Sequence, residues 1–288
     1  MATYPPLGLP YVHDALDGIP LTIDTSATRI KEIQKVHESR PDDVYIATFL
    51  KCGTTWLQQI LTLMYDCPQG ERTTIIKDAP WLEYLSREEV DAKLSPRVFK
   101  THLRWRWIPK AEGVKYIYCY RNPLDVVVSY YHHMKTFSGV YKFQGDLDQF
   151  VREVFVAENA SENGSFFDHV AEYLEQRSNP NIYFITYEDI SEDFEKAVRG
   201  IARFLGVEIS SEKMEMMARK CSFESMKRNC NVNYTWLDGK AKDPAASFVR
   251  KGKVGDWINH LSEEHVKKIK QLVKERLLPL GANIRYEL

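Results

Sequence analysis

Lys51, Gly53, Thr54 and Thr55 stand together in the run Leu50-Lys51-Cys52-Gly53-Thr54-Thr55-Trp56, and their types suit the holding of an anion. Lysine supplies a point charge, glycine lets backbone N–H groups approach closely, and the hydroxyls add donors. Arg121, followed eight residues later by Ser129, can hold a second anion. Arg250, Lys251 and Gly252 form a further cationic, backbone-donating hook. Such a split site suits a nucleotide phosphorylated at two places. Lys100 and His102 lie at the end of a strand-like run, where a histidine can act as general base at neutral pH. Each residue also has an ordinary reading. Thr54 can cap a helix with Lys51 solvated, His102 can be satisfied by a neighbour, Arg121 can pair with Asp125, and Ser129 can bond its own backbone. The full Walker pattern G-x-x-x-x-G-K-[ST] is absent, which weighs against a nucleotide kinase or ordinary ATPase. His132 and His133 point in different directions on a helix and have no third ligand in view, so no metal is expected.

The elements that must position these residues alternate. Val44 to Phe49 is short, apolar and β-rich, as a buried parallel strand is, and the run from Thr54 onwards is helical. A strand feeding a tight loop into a helix N-terminus forms a phosphate cradle, because first-turn N–H groups are unpaired and the dipole favours an anion there. Thr25 to Ser39 is expected as a helix, Asp66 to Asp78 as a loop, and Ser86 to Lys93 as a short helix. Val98 to Thr101, Val114 to Tyr120 and Asn181 to Tyr187 read as strands. Leu124 to Lys135, Asp148 to Ala157, Phe166 to Arg177, Ser191 to Leu205, Ser211 to Lys220 and Ser262 to Leu277 read as helices. The last carries Val266, Ile269, Leu272, Val273 and Leu277 on one side. This order argues for an α/β fold, a central parallel sheet flanked by helices on both faces, with ligands at the C-terminal strand edge. Trp81 and Tyr84 are core or wall an apolar pocket, and the pocket is the favoured reading.

The chain has 288 residues, 44% hydrophobic and 27% charged, with a formal net charge of −1. That is an ordinary globular composition, ample for a core, with no general reason to coat nucleic acid or an anionic membrane. No repeat or low-complexity linker divides it, so residues 1–288 are read as one domain. No signal-peptide pattern and no apolar run approaching a membrane span is present. Five cysteines at irregular spacing (Cys52, Cys67, Cys119, Cys221 and Cys230) match neither a disulfide framework nor a zinc set, and reduced thiols in the cytoplasm are expected.

Six stretches together resemble the cytosolic sulfotransferases. They are Leu50 to Trp56, Phe99 to Leu103, Tyr120 to His133, Ile185 to Ile190, Ser222 to Asn229 and Arg250 to Trp257, in family order along nearly the whole chain. The resemblance implies transfer of a sulfuryl group from 3′-phosphoadenosine 5′-phosphosulfate (PAPS) to a small-molecule alcohol, phenol or amine, leaving 3′-phosphoadenosine 5′-phosphate (PAP). By the same resemblance Lys51, Cys52, Gly53, Thr54 and Thr55 form the P-loop-like phosphosulfate cradle, and Trp56 stacks on adenine. Arg121 and Ser129, joined by Arg250, Lys251 and Gly252, hold the 3′-phosphate. Tyr187 reaches the adenine edge, Ser222 and Phe223 line the nucleotide, His102 is the base, and Lys100 is its partner at the transferring group. Lysines and amides then take the role that magnesium plays in phosphoryl transfer.

Departures from the family pattern carry expectations too. Phe49-Leu50-Lys51-Cys52-Gly53 replaces Tyr-Pro-Lys-Ser-Gly, and Cys52, near a lysine and a helix N-terminus, is a candidate for a lowered-pKa thiol. Arg104, Trp105 and Trp107 follow Leu103, and His133 stands where the family carries an aromatic wall of the acceptor pocket, which together suggest a more polar acceptor. Ile258 to Lys267 lacks the family's dimer motif, so a monomer is expected. The acceptor pocket is expected from loops around 15–25, 79–85, 133–145 and 229–248, with Asn229 to Val249 a possible lid. A polysaccharide-directed relative would carry an N-terminal membrane anchor, and a sequestering protein would lack Lys51 or His102.

Overall fold

The computed structural model describes residues 15–21, 26–36, 38–66, 75–136, 143–158, 161, 163–233 and 248–287. Residues 1–14, Cys67, residues 137–142 and most of the proposed lid lie outside them.

Four parallel strands, β3 (Val44–Thr48), β4 (Val98–Thr101), β5 (Lys115–Tyr120) and β6 (Ile182–Thr186), are ordered β4-β3-β5-β6. A hairpin of β1 (Ala15–Leu16) and β2 (Ile19–Pro20) stands apart. Asp17 and Gly18 both take positive φ at its turn, 55° and 76°, the geometry that matches strand twist in a two-residue loop. In the sheet Tyr45 pairs with Phe99 on one side and Tyr116 on the other. All three rings stack, with centroids 5.6 Å apart in both pairs.

Both faces of the sheet are covered. Alternation along β3 sends Tyr45 and Ala47 one way and Val44 and Ile46 the other. The first pair packs with the faces of α5 (Pro123–Thr136), α7 (Phe166–Leu174) and α12 (Glu263–Arg276). The second packs against α2 (Thr54–Met64), α9 (Phe194–Leu205) and α10 (Ser211–Lys220). The remaining helices, α1 (Ala27–Val36), α3 (Ile75–Asp78), α4 (Arg87–Asp91), α6 (Leu147–Phe150), α8 (Tyr187–Glu192) and α11 (Phe223–Arg228), are short. Gly206 takes φ 73° at the end of α9 and stops it.

Three local expectations differ from the structure. Ile75–Asp78 is a helical turn rather than loop, because Ile75 is buried against Met226 and Val232. The helix expected from Ser191 is two. Thr186 ends β6 and caps α8 in a reciprocal capping box with Asp189, so Tyr187, read as strand, opens the helix, and Asp193 breaks the run and caps α9. The segment from Leu147 continues past α6 as a π-helical turn, Val151–Phe155. The α11 helix, capped by Ser222, is an addition to the sequence reading.

Ahead of β3 and β4, Asp43 and Arg97 form a fully buried bidentate pair, with Nε to Oδ1 at 2.7 Å and the second nitrogen to Oδ2 at 2.6 Å. Removing one partner strands the other charge without water. Asp43→Ala is expected to lower unfolding stability by about 3–5 kcal/mol. A loss under about 1 kcal/mol in urea denaturation, the range of an exposed pair, would contradict it.

Candidate active site

Each of the four strands delivers a candidate residue at its C-terminal end. His102 follows β4, Arg121 follows β5, Tyr187 follows β6, and the Lys51 loop follows β3. Parallel register fixes this, since Thr48 lies level with Cys119, and Tyr120 with Thr186. In the β3–α2 loop Lys51 has φ 66° and Gly53 has φ 97°. A Cβ on Gly53 would lie 3.0 Å from Tyr187, so both conformation and space require glycine here. Left-handed backbone at a lysine costs on the order of 1–3 kcal/mol and clusters at functional sites. No side chain at Gly53 caps α2. The Thr54 hydroxyl is instead 2.6 Å from Thr48 Oγ1, which leaves the first-turn N–H groups directed at the loop.

Lys51 stands among cations. Burial, then the charges of Arg121, Arg250 and Lys100, bring its ammonium down to about 7. Among the described residues no carboxylate pairs with it. Its Nζ lies 4.3 Å from the Phe248 ring centre, and Lys100 Nζ lies 4.2 Å from that of Trp81. Arg121 donates to the Lys253 carbonyl at 2.9 Å and stacks on Tyr187 at 4.0 Å, while its buried Nε has no partner among the described residues. The anticipated Asp125 contact exists at 3.9 Å, but that carboxylate mainly accepts from Gly255 N and Trp257 N, at 2.8 and 3.1 Å. Arg250 and Lys251 both donate to Asp256, at 3.1 and 2.8 Å. Burial alone would raise Asp256, but these hydrogen bonds hold it well below the usual carboxylate range.

His102 is buried, with a defined tautomer. Its Nδ1 lies 2.8 Å from the Thr48 carbonyl oxygen. A carbonyl only accepts, so Nδ1 carries the proton and Nε2 keeps a lone pair. Burial, reinforced by Lys100 and opposed by the Thr48 bond, pushes the imidazole down to about 3, so it is neutral and able to accept a proton at neutral pH. Its backbone N–H donates to Glu83 Oε1 at 2.8 Å.

The aromatic members gather beside this group. Trp56 meets Tyr187 at 5.2 Å. Gly252, at φ 63°, packs where a Cβ would strike the Phe223 ring at 2.4 Å. Ser222 is committed locally, its hydroxyl donating to Arg219 O and accepting from Ser225 N. Ser129 is half-buried on α5, one turn beyond Asp125 on the same helix face. Trp81 packs edge-on to His102 at 5.0 Å and against Tyr84 at 4.5 Å. His133 faces the same group. Burial, then Lys51, His102 and Lys100, hold its imidazole well below the ordinary value, and its ring is 5.6 Å from that of Phe248.

Two expectations are corrected. Cys52 is fully buried and its thiol is pushed up by burial, outweighing Arg121, so it is no lowered-pKa nucleophile; proximity to a helix N-terminus does not offset desolvation. Arg104, expected to polarise the acceptor site, is buried and paired with Glu172 at 2.6 Å, and Trp105 packs on Tyr116 and Tyr173. Thr48, Glu83, Phe248 and Asp256 went unnoticed in the sequence because each acts through a neighbour and carries no motif of its own.

The sulfotransferase domain profile matches residues 41–281. Sulfotransferase 1B1 of Canis lupus familiaris is 33% identical over 95% of this chain and 95% of its own. Amine sulfotransferase of Oryctolagus cuniculus is 32% identical over 83% and 82%. A mouse sulfotransferase solved with PAP superposes with TM-score 0.73 at 26% identity, covering 91% of this chain and 94% of that one. Retinol dehydratase, solved with retinol and PAP, shares the fold with TM-score 0.78 at 24% identity, over 93% and 89%. The chain belongs to the sulfotransferase family and is a sulfotransferase. No helix among the described residues is long and apolar enough to cross a membrane.

Burial of neutral His102 has a stability consequence. Below pH 6.5 the unfolded chain takes up a proton there, whereas the folded chain resists until about pH 3, so the stability contributed at neutral pH is lost as pH falls. Glu188, pushed up to about 7 chiefly by burial, acts in the opposite sense, and comparison with a variant isolates the histidine. From pH 7 to pH 5 wild type is expected to lose on the order of 1–2 kcal/mol more than His102→Gln. Parallel profiles would contradict this.

Proposed function

We propose that this PAPS-dependent sulfotransferase acts on a hydroxyl or amine of a small molecule by in-line displacement, with His102 as general base. The observation that carries the reading is the pinned, neutral His102 beside a half-buried lysine that stands among cations and has no carboxylate partner among the described residues. The residues fit the nucleotide. An orphaned Arg121 Nε, uncapped helix N–H groups and space kept clear at Gly53 suit a doubly phosphorylated ligand.

When bound, PAPS supplies the sulfuryl group, with PAP as the leaving nucleotide. Lys51 and the amides of Cys52, Gly53, Thr54 and Thr55 hold the 5′ end and stabilise the charge that builds on the leaving oxygen. Lys100 faces the transferring group. His102 Nε2 takes the acceptor proton while Thr48 O holds the imidazolium's other N–H. Arg121 and Ser129, with Arg250, Lys251 and Gly252, hold the 3′-phosphate, and Asp256 keeps two of those cations in place. Trp56, Tyr187, Ser222 and Phe223 enclose the base, and Trp81, Tyr84 and His133 wall the acceptor. An amine stays within the acceptor class because one relative is named for amines. Residues 1–288 are read as one domain acting as a monomer, with no nucleic-acid partner, since the dimer motif is missing and net charge is near zero. Placement in the cytoplasm rests on the family resemblance.

His102→Ala is expected to lower kcat by at least about 100-fold, the usual scale of general-base catalysis, with PAP affinity unchanged by calorimetry. A kcat near wild type would overturn the assignment of the base.

A further inference from the structure

The peptide groups that carry His102 lie beyond the sheet's last register pair, Ala47 with Thr101. The strand ladder therefore does not hold them, yet both His102 and Leu103 are buried. A buried carbonyl without a partner costs about 1–3 kcal/mol. One face of α7 satisfies both. His169 Nε2 lies 3.2 Å from the His102 carbonyl oxygen, and the Tyr173 hydroxyl donates to the Leu103 carbonyl at 2.9 Å. The two side chains are four residues apart and so share a helix face.

The tautomer of His169 follows from the same logic as that of His102. Its Nε2 meets a carbonyl and carries the proton, so Nδ1 accepts from the Tyr118 hydroxyl, 3.0 Å away. Tyr118 and Tyr173 stack with centroids 3.9 Å apart and planes 8° from parallel. The three side chains form one buried layer behind the base. With Glu83 on the backbone N–H and Thr48 on Nδ1, the His102 residue is held at its N–H, its carbonyl and its ring.

We propose that His169 and Tyr173 are positioning residues for sulfuryl transfer, fixing the backbone from which His102 presents Nε2. This rests on the reading of His102 as base. Neither residue touches the nucleotide-binding cations in any hydrogen bond or ion pair above, so their loss is expected to act on the chemical step and not on nucleotide affinity. A displacement of the base by about 1 Å is enough to slow a reaction on the order of 100-fold.

The test combines five variants, His102→Ala alone among them, with kcat, donor KM, PAP affinity and PAP stoichiometry. His169→Leu is expected to lower kcat by about tenfold or more, with PAP affinity, stoichiometry and donor KM within about twofold of wild type. His169→Gln, whose carboxamide offers both a donor to His102 O and an acceptor to Tyr118, is expected to restore kcat to within about threefold of wild type. Tyr173→Phe removes one hydroxyl at constant shape and is expected to lower kcat about threefold to tenfold. Placed on His102→Ala, His169→Leu is expected to cost nothing further, because the group it positions is gone. Wild-type kcat in His169→Leu or Tyr173→Phe would overturn the proposal. So would a joint fall of kcat and PAP stoichiometry in both, or additive losses on His102→Ala. Tyr173→Phe decides the matter if His169→Leu does not fold. Normal kcat in His102→Ala alone would instead remove the general-base reading, so the two failures are distinguishable.

Discussion

Four cations drawn close together, the central one with no carboxylate paired to it among the described residues, constrain the rest of this structure. Lys51 is surrounded by Arg121, Arg250 and Lys100 at the C-terminal edge of a parallel sheet, where desolvation strengthens their repulsion. The fold compensates at the periphery rather than at the centre. Asp256 takes Arg250 and Lys251, and aromatic faces lie against Lys51, Lys100 and Arg121. What is left between them is a positive field, which suits the bis-phosphorylated nucleotide proposed for it.

The scaffold behind this field is correspondingly rigid. The strands are buried on both faces, the β3–α2 loop takes left-handed backbone at Lys51 and Gly53, and Gly53 packs directly beneath Tyr187. Asp125 ties the start of α5 to Gly255 and Trp257, so the segment after Arg250 is anchored to the helix that follows Arg121. The cations of the two segments are thereby held by one continuous set of contacts. His102 draws on the same economy, since Thr48 fixes its ring and also meets Thr54 at the head of α2.

Much of this was legible in the sequence because the signals were local. Strand, glycine-bearing loop and helix follow one another between Val44 and Met64, and the β-rich runs at Val98, Lys115 and Asn181 show no competing pattern. Lys51, His102 and Arg121 were recognisable by type and place at strand ends. The remainder depended on contacts distant in sequence. Tyr187 looks like strand until the Thr186–Asp189 capping box makes it the first residue of α8. Asp256 looks like a surface carboxylate until it is found between Arg250 and Lys251. Cys52 looks activated when only its neighbours in sequence are considered, and burial reverses that. His169 sits in an ordinary amphipathic helix, and only tertiary packing sets it behind His102.

Burial and the charges of Arg121, Arg250 and Lys100 hold the Lys51 ammonium below its ordinary value, so an anion beside it is expected to raise its protonation. Its ammonium is brought down to about 7, and a bound phosphate is expected to restore the charge. The decisive measurement is calorimetry of PAP binding at pH 8 in buffers of differing ionisation enthalpy. Uptake of roughly one proton per nucleotide is expected for wild type, with none for Lys51→Met. Failure of wild type to bind PAP, or binding with no proton uptake, would contradict the account.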